Sequence, residues 1–526
     1  MTHPANPRRW GALAALVLAA LTLGFDITIL NVALPTMAGD LSAGTSALQW
    51  IVNAYILVLA GLILTCGALG DRYGRKRLLI VGLALFAAAS AAATWTTSVE
   101  VLIAARAVMG LGGAMIMPVA FAVLPALFPP AERGKAVALV VLGTGLGIPL
   151  GPLIGGYLLE NFWWGSIFLI NLPMAAIAIL AIAVLMPENR DPHPARPDLP
   201  GALLSTAGLV ALVYGIIEAP GRGWSDPLVL GALAVAAVLL AAFVTFELRT
   251  AEPMIELRLF GRAQFLWASV AGVLVTFGLL GMLFVMPQYL QLVKGHDAFG
   301  TGLRLLPLIG GLVVGAPAGE RLAARTRYRI PVTAGLLILA GGLALGATTD
   351  VDTGYGFIAG WMAAVGLGIG LALSPAMDAV LGALPPERAG AGTAITMTLR
   401  QVGGALGVAL LGSLLAKGYT DRVDVTGLPA PAADAACESL AAALAAAARL
   451  GEPALAASAQ SAYLHGMTIV LYTTAAIAVL SALLTAALLP GRPHSAEDTT
   501  PEHADQPLVA PGGTATPAGE TTTPIG

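Results

Sequence analysis

Long apolar runs separated by short polar turns dominate this chain. Runs of about 17 to 25 residues, the length a helix needs to cross a bilayer, predict helices near 11–34, 48–69, 78–95, 100–127, 134–159, 166–186, 201–218, 227–246, 263–290, 300–319, 330–348, 355–384, 391–415 and 466–489. The fold class that follows is an all-α integral membrane protein with about fourteen transmembrane helices. The first run follows Arg8 and Arg9 as a signal peptide would, but it is too long and is interrupted by Asp26 and Asn31, so it reads as a retained helix.

The pattern repeats. Gly110, Gly112, Gly147, Gly151 and Gly156 return 256 positions later as Gly366, Gly368, Gly403, Gly407 and Gly412, and Pro129-Pro130-Ala131-Glu132-Arg133 returns one residue shorter as Pro385-Pro386-Glu387-Arg388. Two similar six-helix halves, with the seventh and eighth helices as an extra pair between them, suit a transporter that binds its substrate at the interface of the halves. The expected divisions are 1–187 for the first half, 188–250 for the linker pair, 251–490 for the second half and 491–526 for a disordered cytoplasmic tail. Residues 416–465 form an external loop whose Ala-rich stretch, Ala432 to Leu450, reads as a surface helix.

Charge then orients the helices. Between the second and third runs lies Gly67-Ala-Leu-Gly-Asp-Arg-Tyr-Gly-Arg-Lys-Arg-Leu78, a tight turn carrying Asp71, Arg72, Arg75, Lys76 and Arg77. Short Lys/Arg-rich loops stay cytoplasmic. With this turn inside, the inner segments also gather Arg8, Arg9, Arg133, Lys135, Arg190, Arg196, Arg249, Arg258, Arg262, Arg321, Arg325, Arg327, Arg329, Arg388 and Arg492, while the outer ones hold only Arg222, Lys294, Lys417, Arg422 and Arg449. Both termini are therefore expected in the cytoplasm. The corresponding turn of the second half, Leu322 to Arg329, is degenerate, with Ala324 in place of the Asp and Arg327 in place of the second Gly.

Composition narrows the function classes. With 57% hydrophobic and 11% charged residues among 526, the chain falls outside the soluble class, which is about a quarter charged. A net charge of -3 gives no nucleic-acid footprint, and Cys66 and Cys437 make neither a disulfide framework nor a metal cluster. All six histidines fall in loops or tails, which argues against a histidine proton relay. No nucleophile–base pair or phosphate-binding loop points to an enzyme.

Charges at membrane depth are costly and so carry the candidate chemistry. Asp26 lies about 13 Å below the outer end of the first helix, where a carboxylate taken out of water can exchange a proton near neutral pH. Arg106 lies about 9 Å into the fourth helix, at comparable depth, and a cation that keeps its charge can hold that carboxylate ionised and release it when the geometry changes. The small residues after it, Ala107, Gly110, Gly112, Gly113 and Ala114, allow a second helix to pack closely. Asp378 and Arg400, about 9 and 14 Å from the inner ends of their helices, are read as a second pair, coupling protons or tying two helices together. The glycines of the fifth helix permit close packing and bending. Among apolar and aromatic residues at membrane depth, Tyr55, Gln288 and Tyr289, together with Asn31, are expected to line a substrate cavity.

These motifs resemble a known family. The basic turn resembles the signature G-x-L-x-D-R-x-G-R-[KR]-[KR] of the major facilitator superfamily, matched by Gly67, Leu69, Asp71, Arg72, Gly74, Arg75, Lys76 and Arg77. Phe25-Asp26-Ile27-Thr28-Ile29-Leu30-Asn31-Val32-Ala33-Leu34-Pro35 resembles the first-helix signature of the fourteen-helix drug:proton antiporters, with Phe25 for the usual leucine. Arg106 with Gly110 is similar to the superfamily's fourth-helix motif, where the arginine is implicated in proton transfer. Gly147, Gly151, Pro152, Gly155 and Gly156 resemble the antiporter motif G-x3-G-P-x2-G-G, and Phe162 to Pro173 is similar to the branch that expels quaternary ammonium compounds, dyes and antibiotics.

The resemblance implies a major facilitator fold and a proton-coupled antiporter exporting amphipathic drugs or antibiotics across a bacterial-type cytoplasmic membrane. It implies proton coupling at Asp26 and Arg106, with the basic turn as a latch between the halves. Such a carrier is driven by the proton gradient without a cofactor or metal; its partners are small amphipathic molecules, protons and lipid, not nucleic acid, and it is expected as a monomer. Several multidrug members carry an extra acid in the tenth or thirteenth helix; here the tenth has none before Glu320, and the thirteenth reads Thr396-Met397-Thr398-Leu399-Arg400. That departure makes a neutral or monovalent antibiotic at least as plausible a substrate as a divalent cation. The alternatives are export of an endogenous metabolite, such as a self-made antibiotic, amino acid or lipid, and, remotely, a non-transport membrane receptor.

Overall fold

A computed structural model describes residues 8–191, 197–250, 253–384 and 389–490. Fourteen helices long and apolar enough to cross a membrane occur among them: α1 Arg9–Asp40, α2 Thr45–Tyr73, α3 Arg75–Trp95, α4 Val99–Ala122, α5 Ala131–Asn161, α6 Ser166–Leu185, α7 Leu199–Arg222, α8 Pro227–Arg249, α9 Ala263–Val293, α10 Ala298–Arg325, α11 Arg329–Gly346, α12 Tyr355–Gly382, α13 Gly392–Thr420 and α14 Pro453–Leu488. No strand occurs among the described residues. The expected tail 491–526 and the proline repeat at Pro385 to Arg388 lie outside them.

Helical hydrogen bonds pair most of the backbone along each span, as a structure in lipid requires, and polar side chains close several starts. Ser98 Oγ accepts the Val101 N–H at α4, and Asp198, Asp226 and Asp297 cap α7, α8 and α10 in the same way. Burial sorts the spans: 83% of the most apolar stretch of α9 is inside the protein against 17% for α8, so α9 is central and α8 faces lipid.

The halves pack alike. Within the first, α1 lies on α5 and α2 on α4; within the second, α9 lies on α13 and α10 on α12. The repeated glycines make equivalent close approaches. A Cβ on Gly110 would strike the Tyr55 carbonyl of α2, and one on Gly366 the Leu308 carbonyl of α10; Gly147 abuts the α1 backbone as Gly403 abuts that of α9. Even the glycines at the seam correspond: Gly156 of α5 abuts Ala298 and Phe299 in the second half, and Gly412 of α13 abuts Gln49 in the first.

The halves meet through α1 with α9, α2 with α13 and α5 with α10. The side-chain amide ties across the seam lie at the end opposite the basic turn. Gln49 Nε2 donates to the carbonyls of Val408 and Ala409 at 3.0 and 2.8 Å, and Gln291 Nε2 donates to the Val32 carbonyl at 2.8 Å. Of the extra pair, α7 packs over the α2–α13 contact, where Ser413 Oγ donates to the Ile216 carbonyl of α7 at 2.8 Å, and α8 packs on α7.

Several boundaries differ from expectation. α14 begins at Pro453, not 466, because Ser458, Gln460, Ser461 and His465 interrupt the apolar run although Leu455, Ala459, Ala462 and Tyr463 are buried. The run 100–127 is divided: α4 ends at Ala122, and Leu124–Leu127 forms a separate turn with Pro125 in its first positions. The expected surface helix is two helices, Ala430–Glu438 and Leu440–Leu450. They are docked, not superficial: Ala436, Leu440, Ala443 and Ala446 are buried, Tyr419 donates to the Ala436 carbonyl and Thr45 to that of Glu438.

Candidate functional site

Asp26 and Arg106 meet inside the first half, 0% and 1% exposed, with Arg106 Nη1 2.5 Å from Asp26 Oδ2. Close helix packing holds them there. Gly147 abuts the α1 backbone at Gly24 and Phe25, immediately before the acid, and Thr28 Oγ1, half a turn after it, donates to the Gly147 carbonyl at 2.9 Å. Gly110, one turn beyond Arg106, brings α4 onto Tyr55 of α2. The guanidinium lies 4.4 Å over the Tyr55 ring, and its Nε donates to the Ile51 carbonyl at 3.2 Å. Stacking on the ring's negative face and pairing with a carboxylate together stabilise a cation removed from water.

The second oxygen of Asp26 has its own donor, which the sequence reading missed. Asn171 Nδ2 of α6 donates to Asp26 Oδ1 at 3.2 Å and to Ser90 Oγ of α3 at 3.3 Å. Both residues are buried polar interruptions of apolar runs, the one signal that marks them in the sequence. Five helices therefore converge on one carboxylate: α1 carries it, and α2, α3, α4 and α6 orient its surroundings. Such an arrangement can hold a proton or a negative charge at a fixed place and change its partners when one arrives.

Tyr55, Leu23, Ile27 and Leu59 border an apolar cleft beside this pair with a volume of about 20 Å³, room for one water. Of the other expected cavity residues, Asn31 and Gln288 donate within their own helices, to the carbonyls of Ile27 and Phe284. Asn31 Oδ1, Tyr55 OH and Tyr289 OH are buried without a hydrogen-bond partner among the described residues. Asn53 of α2, also missed, is fully buried with both amide atoms unused.

The expected Asp378–Arg400 pair is not made. Arg400 Nε donates to Thr276 Oγ1 of α9 at 3.1 Å, while Asp378 is exposed on α12. Their similar depths fixed height along the bilayer but not the faces of α12 and α13 on which they stand.

At the basic turn, Gly74 takes φ 115°, open to glycine and strained for other residues. Asp71 Oδ1 accepts Arg75 Nε at 2.8 Å. The turn is tied to the segment after α6: Arg75 N–H donates to the Asn189 carbonyl, Asp191 N–H to the Asp71 carbonyl, and Lys76 Nζ to the Ala183 carbonyl. Arg77 lies 3.5 Å from Glu188. In this conformation those ties run to residues 183–191, not to the second half, and Arg72 lies by Tyr73.

Two packed six-helix repeats, an extra helix pair and a buried ion pair in the first repeat define a membrane carrier of the two-half type. The chain belongs to the Major Facilitator Superfamily, whose sequence pattern matches residues 16–408. It is 36% identical over 494 residues to the multidrug efflux pump LfrA of Mycolicibacterium smegmatis, covering 92% of this chain and 96% of that protein. It is 35% identical over 415 residues to the tetracenomycin C resistance and export protein of Streptomyces glaucescens, covering 79% and 77%. A bacterial homolog of the human lysosomal transporter Spinster, crystallised inward-facing and unoccupied, shares the fold, with a TM-score of 0.67 at 18% identity over 92% of this chain and 98% of its own.

Proposed function

We propose that the protein is a proton-coupled antiporter that exports amphipathic drugs or antibiotics across a bacterial-type cytoplasmic membrane, with both termini inside. The observation that carries this reading is the buried Asp26 carboxylate, with one oxygen on Arg106 and the other on Asn171. A proton arriving from outside at Oδ2 removes the negative charge that holds Arg106. The guanidinium keeps the Ile51 carbonyl and the Tyr55 ring as partners while its hold on α1 weakens. Release of that proton inward restores the pair and completes the exchange.

The idle polar atoms of Asn31, Tyr55 and Tyr289, with Gln288, are available to a substrate crossing between the halves. The basic turn acts as the latch of the cytoplasmic side: tied to residues 183–191 here, it engages the second half when that side closes. Arg400, bonded to Thr276 and apart from Asp378, is assigned to positioning α9 against α13 and not to a second proton pair. The relatives are resistance and efflux proteins, which favours export over uptake. A second reading, export of a self-made antibiotic, is favoured by likeness to the resistance and export protein of Streptomyces glaucescens.

The test is efflux of ethidium and a panel of antibiotics in energised everted vesicles. Wild-type transport is expected to collapse with an uncoupler and to be abolished in Asp26→Asn. Full proton-driven transport by Asp26→Asn sinks the assignment; silence of the wild type across the panel moves the substrate to an endogenous metabolite.

A further inference from the structure

The joint between α7, α8 and the approach to α9 holds two acids that the transport reading does not use. Asp198 caps α7: its Oδ1 accepts the Gly201 N–H at 2.9 Å, and its Oδ2 is buried without a partner. Glu247, two residues before the end of α8, is 3% exposed. Its Oε2 accepts the Ile255 N–H at 3.1 Å, and its Oε1 is buried without a partner. The two idle oxygens converge on Gly201: a Cβ built there would strike Asp198 Oδ2 and stand 2.9 Å from Glu247 Oε1.

The surrounding charges do not satisfy them. Arg249, Glu256 and Arg258 line a cavity of about 540 Å³ beside Glu247, but among the described residues neither Asp198 nor Glu247 takes part in an ion pair. From α2, packed on α7, Asp71 is held by Arg75 and Arg72 lies by Tyr73. From α13, also packed on α7, Arg400 is engaged with Thr276. Two buried anionic oxygens converging on one glycine, with neither donor nor cation among the described residues, are strongly unfavourable.

We infer that Asp198 and Glu247 form a proton-binding site, one proton held between Oδ2 and Oε1 as a carboxyl O–H donating to a carboxylate. A hard metal cation is the poorer occupant: calcium takes about six to eight oxygens, whereas two idle ones converge here. Loss of the proton to water at the basic-turn end leaves two anions that repel. Glu247 holds Ile255, and the adjacent Met254 Sδ accepts Thr65 Oγ1 of α2 at 3.4 Å. Proton occupancy therefore sets how firmly the segment entering α9 is held to α8 and α2, independently of Asp26.

The test is hydrogen–deuterium exchange of the purified full-length protein, read on the peptide spanning 253–258 and corrected for intrinsic exchange, from mildly acidic to mildly alkaline pH. Wild-type protection is expected to fall about tenfold as the proton leaves. Glu247→Gln, whose amide can donate to Asp198 Oδ2, should stay protected throughout, and Asp198→Asn should lose the pH response in the same way. Asp26→Asn should keep it, which separates this site from the transport reading. Protection independent of pH in the wild type overturns the proposal. So does a pH response retained in both Glu247→Gln and Asp198→Asn, or protection that follows added sodium or calcium rather than acid.

Discussion

Arg106 is the side chain on which the buried site depends most. Removing it leaves Asp26 ionised in the interior without its partner, a change that costs about 3–5 kcal/mol. Arg106→Ala should therefore lower the thermal stability of the purified protein, and Asp26→Asn in the same chain should recover much of the loss by removing the stranded charge. If the double variant is no more stable than Arg106→Ala, the pair does not share the energetic coupling its 2.5 Å contact implies. Asp26 and Arg106 were legible in the sequence because a formal charge in an apolar run stands out and its depth follows from helical rise. Asn171 and Ser90 were not, since neutral polar residues are common in membrane helices and only packing brings these two to the acid. Glu247 sits just past the expected end of its span at 246, where a carboxylate reads as interfacial; only the fold brings the Ile255 N–H to it.

At the scale of the helix pair, α1 and α5 make a sharper prediction from neighbouring glycines. Gly147 abuts the α1 backbone, whereas a Cβ on Gly145 meets nothing within 4 Å. Gly147→Val should force α1 off α5 and displace Asp26, reducing folded yield in detergent and abolishing transport. Gly145→Ala should leave both intact, with a gain of up to roughly 0.5–1 kcal/mol as in other helices. Equal damage from the two substitutions would show that glycine density, and not close approach at one face, is what α5 requires. The sequence marked the motif and its spacing but not which glycine meets which helix. It also misplaced the start of α14, since polar residues on one face of a helix shorten the apolar run without shortening the helix.

The whole molecule is two repeats joined at one end by side-chain amides bonded to carbonyls of the opposite half. Repeat, helix count and carrier architecture were legible because the bilayer restricts the available structures and glycines recur at a fixed offset. The seam was not, as Gln49 and Gln291 do not correspond in the repeat and their partners are backbone atoms. Gln49→Leu removes two hydrogen bonds across it, each contributing about 0.5–1.5 kcal/mol. In a background with Cys66 and Cys437 replaced by Ser, a Val408→Cys thiol at the seam should react faster with a membrane-impermeant maleimide once Gln49→Leu is added, by roughly five- to a hundredfold. Unchanged labelling would mean that apolar packing alone holds that end closed.

In the proposed exchange, substrate and proton compete through Asp26. The most direct test of that competition is the proton released when an exported compound binds the purified protein in weakly buffered detergent solution. The wild type is expected to release protons in proportion to substrate bound, and Asp26→Asn to bind without release; equal release from both proteins would contradict the account.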